Sequence, residues 1–134
     1  MELVTVAQWI YSQLTGRQDL MSLVNGRIFH EVAPLGTQYP VIVFQHQSGA
    51  DVNGTGCERI MVRSTWLVRV IGKPSLVSLK PVADLIDDCL HKGSGKTQSG
   101  EIFGCLREAP FMMVEPDGDE KFIHLGGLYR IFVR

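Results

Sequence analysis

The 134-residue chain has almost no net charge, with thirteen Lys and Arg against fourteen Asp and Glu for a formal charge of −1. Nonspecific binding to nucleic acid or to an anionic membrane depends on a cationic excess, so neither partner is indicated. Cysteine is scarce. Cys57, Cys89 and Cys105 are odd in number and widely spaced, which argues against a disulfide framework and predicts reduced, buried or idle thiols. His30, His46, His91 and His124 never meet each other or the cysteines at the H-x-x-x-H or C-x-x-C spacings that place two ligands on one metal ion. No apolar run approaches the ~18 residues that span a bilayer. The opening MELVTVAQWIYSQLTG lacks a basic region ahead of its apolar part and carries Thr5, Gln8, Ser12 and Gln13 inside it, unlike a signal peptide. The expectation is a soluble protein not exported by that route. Internal repeats and heptads are also missing.

Signals for catalysis are equally thin. No G-x-S-x-G elbow occurs, and Cys89 falls beside the apolar stripe of a predicted helix, where a thiol is small core filler. Asp84, Asp87 and Asp88 cluster on that helix's polar side, as expected of a solvated face rather than an acid/base pair. Gly93-Ser94-Gly95-Lys96-Thr97 resembles the end of a phosphate-binding loop, but the glycine required five positions before Gly95 is Leu90. The segment also follows a predicted helix and precedes a predicted strand, the reverse of the order that aims a helix dipole at phosphate. A mobile helix-to-strand linker over Lys92 to Gly100 explains it better. No catalytic residue, cofactor or metal ligand is assigned, and the chain is read as a non-enzyme. His46 and His124, on predicted strands, are read as partly buried or interfacial imidazoles.

What is present is a chain of one-domain size, 45% hydrophobic and 20% charged, able to bury a substantial core over residues 1–134. Leu3, Val6, Ala7, Ile10 and Leu14 recur at helical spacing up to Thr15-Gly16, where Gly16 can take a left-handed C-cap conformation. Asp19 to Val24 forms a further turn or two before Asn25-Gly26, and Arg27 to Val32 is a short strand closed by Pro34 and Gly36. Pro74 and Ser75 interrupt the chain before a second main helix at about Ser78 to His91, with Ser78 as N-cap and Pro81 in the first turn. Glu101 to Arg107, Phe111 to Glu115 and Lys121 to Val133 are three strands, the last two joined by Pro116-Asp117-Gly118-Asp119. Gly126-Gly127 predicts a bulge or bend.

The centre of the sheet is a long β-hairpin. Tyr39 to Gln47 is rich in β-branched and aromatic residues, and in Cys57 to Gly72 the residues Ile60, Val62, Trp66, Val68 and Val70 recur at period two. That parity buries Trp66 and leaves Trp9, beside the first helix's stripe, less protected. The opposite parity mixes Arg63, Thr65 and Arg69 with Met61, Leu67 and Ile71, as a partner surface would. Between the arms QSGADVNGTG is read as a projecting tip, Ser48 to Gly56, since no helix follows to make it a phosphate cradle. The fold class is α+β: an antiparallel sheet with a long β-hairpin and two main helices packed on one face.

Several of these stretches in order resemble one family. LMSLVNGRIFHEVAP leading to Tyr39-Pro40, QYPVIVFQHQSG, the strand, break and helix CERIMVRSTWLVRVIGKPSLVSLKPVADLIDDCL and the closing GGLYRIFVR are similar to the tail completion proteins of long-tailed bacteriophages, also called tail terminator or tail-to-head joining proteins. The Lys92 to Glu101 segment and the Gly126-Gly127 step have no place in that pattern. The resemblance implies a structural virion protein, assembled in the host cytoplasm, whose copies close a ring, commonly of six, that caps the tail tube and joins it to the head connector or stopper protein. DNA would pass through such a ring without being read by sequence. Its interface residues would be Ser48, Asp51, Asn53 and Thr55 on the tip and Arg63, Thr65 and Arg69 on the mixed face. Another neck component, such as a head-completion or stopper protein, is the alternative, and a small-ligand or nucleotide-binding domain using GSGKT is a more distant one.

Overall fold

The computed structural model describes residues 1–73 and 75–134; Pro74, expected to break the chain before the second main helix, lies outside them. Helix α1, Glu2–Thr15, buries Thr5, Val6, Trp9, Ile10 and Leu14 at spacings of three and four. Trp9 therefore belongs to the buried stripe. Gly16 caps the helix in the right-handed region, with φ −76° and ψ −9°, so the expected left-handed cap is not there. It appears one helix later, where α2, Gln18–Val24, ends on Asn25 at φ 51°, a conformation Asn tolerates better than most residues. Strand β1 is Ile28–His30, shorter than the expected Arg27 to Val32.

Strands β2, Val41–Asn53, and β3, Arg59–Gly72, form the central hairpin. The expected tip from Ser48 is mostly ladder, because Ser48 pairs with Thr65, Ala50 with Arg63 and Asn53 with Arg59. A register shift between His46 and Ser48 carries β2 through its small residues. Only Gly54 to Glu58 turn, held by the Gly54 N–H donating to Glu58 O at 2.7 Å.

Helix α3 is Leu76–Leu90, and its N-cap is Ser75, whose side chain accepts from the Ser78 N–H while the Ser78 side chain receives the N-cap N–H. Both serines thus form a reciprocal capping box; Ser78 is its inner member, and Pro81 sits beyond the first turn. Strand β4, Gly95–Thr97, lies inside the segment expected to be a mobile linker, antiparallel to the start of β5, Gly100–Asp117. Its turn is tied down, since Ser99 donates to Gln8 Oε1 at 2.7 Å and receives Thr5 Oγ1 at 3.1 Å. The Lys92 N–H donates to Cys105 O at 2.7 Å and the Arg107 N–H to His91 Nδ1 at 3.0 Å, stitching the end of α3 to β5.

Strand β5 unites two expected strands into one, with register shifts at Ile102/Gly104 and Arg107/Ala109 that let it bend without breaking. Pro110 is tolerated because β4 covers only Gly100 to Ile102, leaving the rest of β5 as a sheet edge. Strand β6, Glu120–Val133, runs in unbroken register past Gly126-Gly127, so no bulge forms there. These glycines allow close approach instead, as a Cβ on Gly126 would stand 2.1 Å from Val68 O.

The sheet order is β1-β2-β3-β6-β5-β4, with β1 parallel to β2 and the other pairs antiparallel. The fold is α+β with a mixed sheet, and three helices rather than two contribute to its core. One apolar cluster joins the buried sides of all three to the inner parity of the sheet, including Phe44, Trp66, Val68, Val70, Tyr129 and Ile131. Ile60 shares that parity but is exposed, since the hairpin runs on beyond the helices. Cys105 is buried, Cys89 half-buried and Cys57 exposed, all as free thiols.

Candidate partner interface

The mixed parity of β3 faces away from the core, and the pairing register extends that outer face onto its neighbours. Arg63, Thr65, Leu67 and Arg69 stand opposite Phe132, Arg130, Leu128 and Gly126 of β6 and opposite Ala50, Ser48, Gln45 and Val43 of β2. Val43 and Leu67 are buried although they lie outside the core cluster, so the middle of this face is closed.

A chain of polar contacts crosses the closed part. Arg69 donates Nη1 to Gln45 Oε1 at 2.9 Å and Nε to His124 Nδ1 at 3.0 Å, and His124 Nε2 lies 3.0 Å from Glu115 Oε2. Because Nδ1 accepts from a guanidinium, the imidazole proton sits on Nε2 and is donated to the carboxylate. Burial pulls the His124 pKa below its ordinary value, and Glu115 opposes the shift. The hydrogen-bonded imidazole expected from sequence is here, but it is buried rather than partly buried. It also ties Arg69 into the subunit through two of its five N–H donors and leaves it half-buried.

Toward the hairpin end the outer face opens into a groove of about 630 Å³, lined by Ser48, Gly49 and Ala50 of β2, Arg63 and Thr65 of β3, Leu128 and Arg130 of β6 and Glu108 and Ala109 of β5. Residues from four strands around one hollow make this face concave. Arg130 is ion-paired with Glu108, whereas Arg63 has no hydrogen-bond or ion-pair partner among the described residues.

The seven residues expected at an interface therefore separate. Ser48, Arg63 and Thr65 share the groove. Asp51 lies on the other parity, opposite Val62, with its carboxylate 3.6 Å from Arg59 Nη1. Asn53 and Thr55 stand at the exposed end of the hairpin, and Arg69 belongs to the polar chain. Sequence reasoning missed Glu108, Ala109 and Arg130 as groove residues, and it missed the exposed Met112, Met113 and Val114 on the far part of β5. Alternation along the closing strand could have placed Arg130 outward, but only strand order sets it beside Thr65.

The GSGKT segment has a packing explanation. A Cβ on Gly93 would stand 2.9 Å from Trp9 Cζ2, and one on Gly95 would stand 3.2 Å from Trp9 Nε1. The glycines make room for an indole and Lys96 lies on a short strand, not before a helix. Among the described residues no cluster of three or more His, Cys, Asp or Glu could hold a metal ion, and no helix is long and apolar enough to cross a membrane.

Comparison with known proteins adds a family. The model of the family described as tail completion protein gp17 matches residues 8–134. The chain belongs to that family. It is thus a structural protein of a phage tail, a component of the virion, and the resemblance seen in sequence is the right one. A solved chain from the virion of a native gene transfer agent particle has the same fold, with a TM-score of 0.80 and 15% identity over 98% of this chain and 96% of that one. A search of curated proteins finds no match. The family match spans nearly all of the chain, and its range includes the β4 hairpin and the Gly126-Gly127 step.

Proposed function

We propose that copies of this tail completion protein close a ring, of six subunits, over the end of the finished tail tube and present a surface to the head connector or stopper. The family match from residue 8 to the end of the chain is the observation that carries this reading. The molecule's surfaces suit it. A ring joins one patch of each subunit to a different patch of the next, and the outer-face groove and the exposed far part of β5 are two such patches. Residues Gly54 to Glu58, with Asn53 beside them, would meet the tail tube. DNA passes through the ring without being read by sequence, and the subunit performs no catalysis.

Complementation tests this. Phage lacking the protein should accumulate full heads beside unattached or overlong tails, scored by electron microscopy, and the wild-type chain supplied in trans should restore joined virions. Normal tails of normal length on normal heads without the protein would contradict the proposal.

A further inference from the structure

The outer-face groove and the far end of the β5–β6 hairpin are complementary. Beyond Gly72, which pairs with Ile123, β3 no longer accompanies β6. The hairpin continues as two strands, with Glu115 opposite Phe122 and Asp117 opposite Glu120. This arm carries Glu115, Asp117, Asp119 and Glu120 against Lys121, and Lys73 at its base reaches Asp117 at 3.1 Å and Glu120 at 2.5 Å. Four carboxylates against two ammonium groups leave it acidic. The apolar Met112, Met113 and Val114 behind the tip are 59%, 42% and 49% exposed, a run that a solitary subunit leaves in water.

We propose that the arm of one copy docks into the outer-face groove of the next, forming the head-to-tail joint of the ring; this rests on the ring reading above. Charge selects the pairing, because Arg63 is the groove's unpaired cation once Arg130 and Glu108 have neutralised each other. The groove's small walls, Ala50 and Ala109 with Leu128, give an apolar seat to Met112 and Val114, which share one face of β5. The occupant must come from another copy. Glu120 and Arg130 lie on the same continuous strand, ten residues or roughly 33 Å apart at a strand's rise, so no subunit's arm reaches its own groove. Strand addition along β5 is disfavoured, because Pro110 and Pro116 share the parity of Met112 and Val114 and offer the open edge no N–H. The arm therefore binds through its side chains.

The test is the mass of the purified full-length protein in sedimentation, alone and with isolated tail tubes as template. Arg63→Glu and Asp119→Lys, both at exposed side chains, should each lower the ring fraction about tenfold in favour of the 14.9 kDa subunit, without changing the circular dichroism. The double variant should restore the ring, since its reversed charges again match. Ala50→Trp, which fills the groove, should abolish the ring and not be rescued by Asp119→Lys. Folded single variants and Ala50→Trp that all keep full ring mass would overturn the docking while leaving the ring intact. If the wild type makes no ring with or without tubes, the ring reading falls and the docking with it. Intact rings that no longer join tails would assign the groove to the tube or connector and overturn the proposal.

Discussion

Two tryptophans show how differently a buried indole can be accommodated. Trp66 is 1% exposed and donates Nε1 to Ser64 Oγ at 3.0 Å, so its polar atom is satisfied inside the core. Trp9 is 3% exposed and its Nε1 has no hydrogen-bond partner among the described residues. Burying an unpartnered donor costs on the order of 1–3 kcal/mol, which the packing of the ring against Gly93 and Gly95 must offset. Trp66→Ala and Trp9→Ala should each destabilise by about 3–5 kcal/mol in chemical denaturation; a loss below about 1 kcal/mol at Trp9 would mean the β4 hairpin does not cover it. His124 ties stability to pH. Burial holds its folded pKa below the unfolded value of about 6.5, so below that pH the unfolded chain binds a proton that the folded chain resists. Stability is complete above about pH 6.5 and falls as pH drops toward the lower folded pKa. Wild type should lose more stability than His124→Gln between about pH 7.5 and about pH 5.5; equal losses would show that this imidazole is not held neutral.

At the scale of elements, the capping box makes Ser75 the residue that starts α3. Ser75→Ala should cost about 1 kcal/mol in thermal denaturation, and no change would return the cap to Ser78. The hairpin turn gives a functional prediction. Replacing Thr55, Gly56 and Cys57 with Gly-Ser-Gly, outside the ladder that ends at Asn53 and Arg59, should leave fold and ring unchanged because a loop tip has few buried contacts. Tail joining should fail, and normal virions would remove the tip from the mechanism. These elements also show what a sequence can and cannot display. Period-two alternation exposed β3 and its two faces, and helical spacing exposed α1 and α3, because each pattern is local. Gly49 and Ala50 have weak strand preference and read as loop, yet pairing with the long, β-branched β3 carries them into the ladder. Lys92 to Gly100 read as a linker by composition, while its Gly93 and Gly95 answer to Trp9, more than eighty residues away in sequence. Parity placed Arg63 and Thr65 outward together. It could not bring Glu108 and Arg130 beside them, because that follows from the β3-β6-β5 order, which no local pattern encodes.

For the whole molecule, the near-neutral charge and the mixed sheet with one helical core describe a subunit whose chemistry lies on its surface. Its two ends differ. One carries a basic-floored groove and the polar hairpin turn, and the other an acidic arm with exposed methionines. Such a subunit can meet a copy of itself through unlike patches, the arrangement that closes rings, and can still leave the turn of Gly54 to Glu58 free for a second protein. In the proposed role these copies stand as a ring on the head-proximal end of the tail tube. Electron cryomicroscopy of tails isolated before head attachment would show that ring. One closed ring of this chain should stand at that end of each tube, with Gly54 to Glu58 turned toward the last layer of tube subunits. Tails whose ends lack the chain, with the protein found on the head connector instead, would contradict that role.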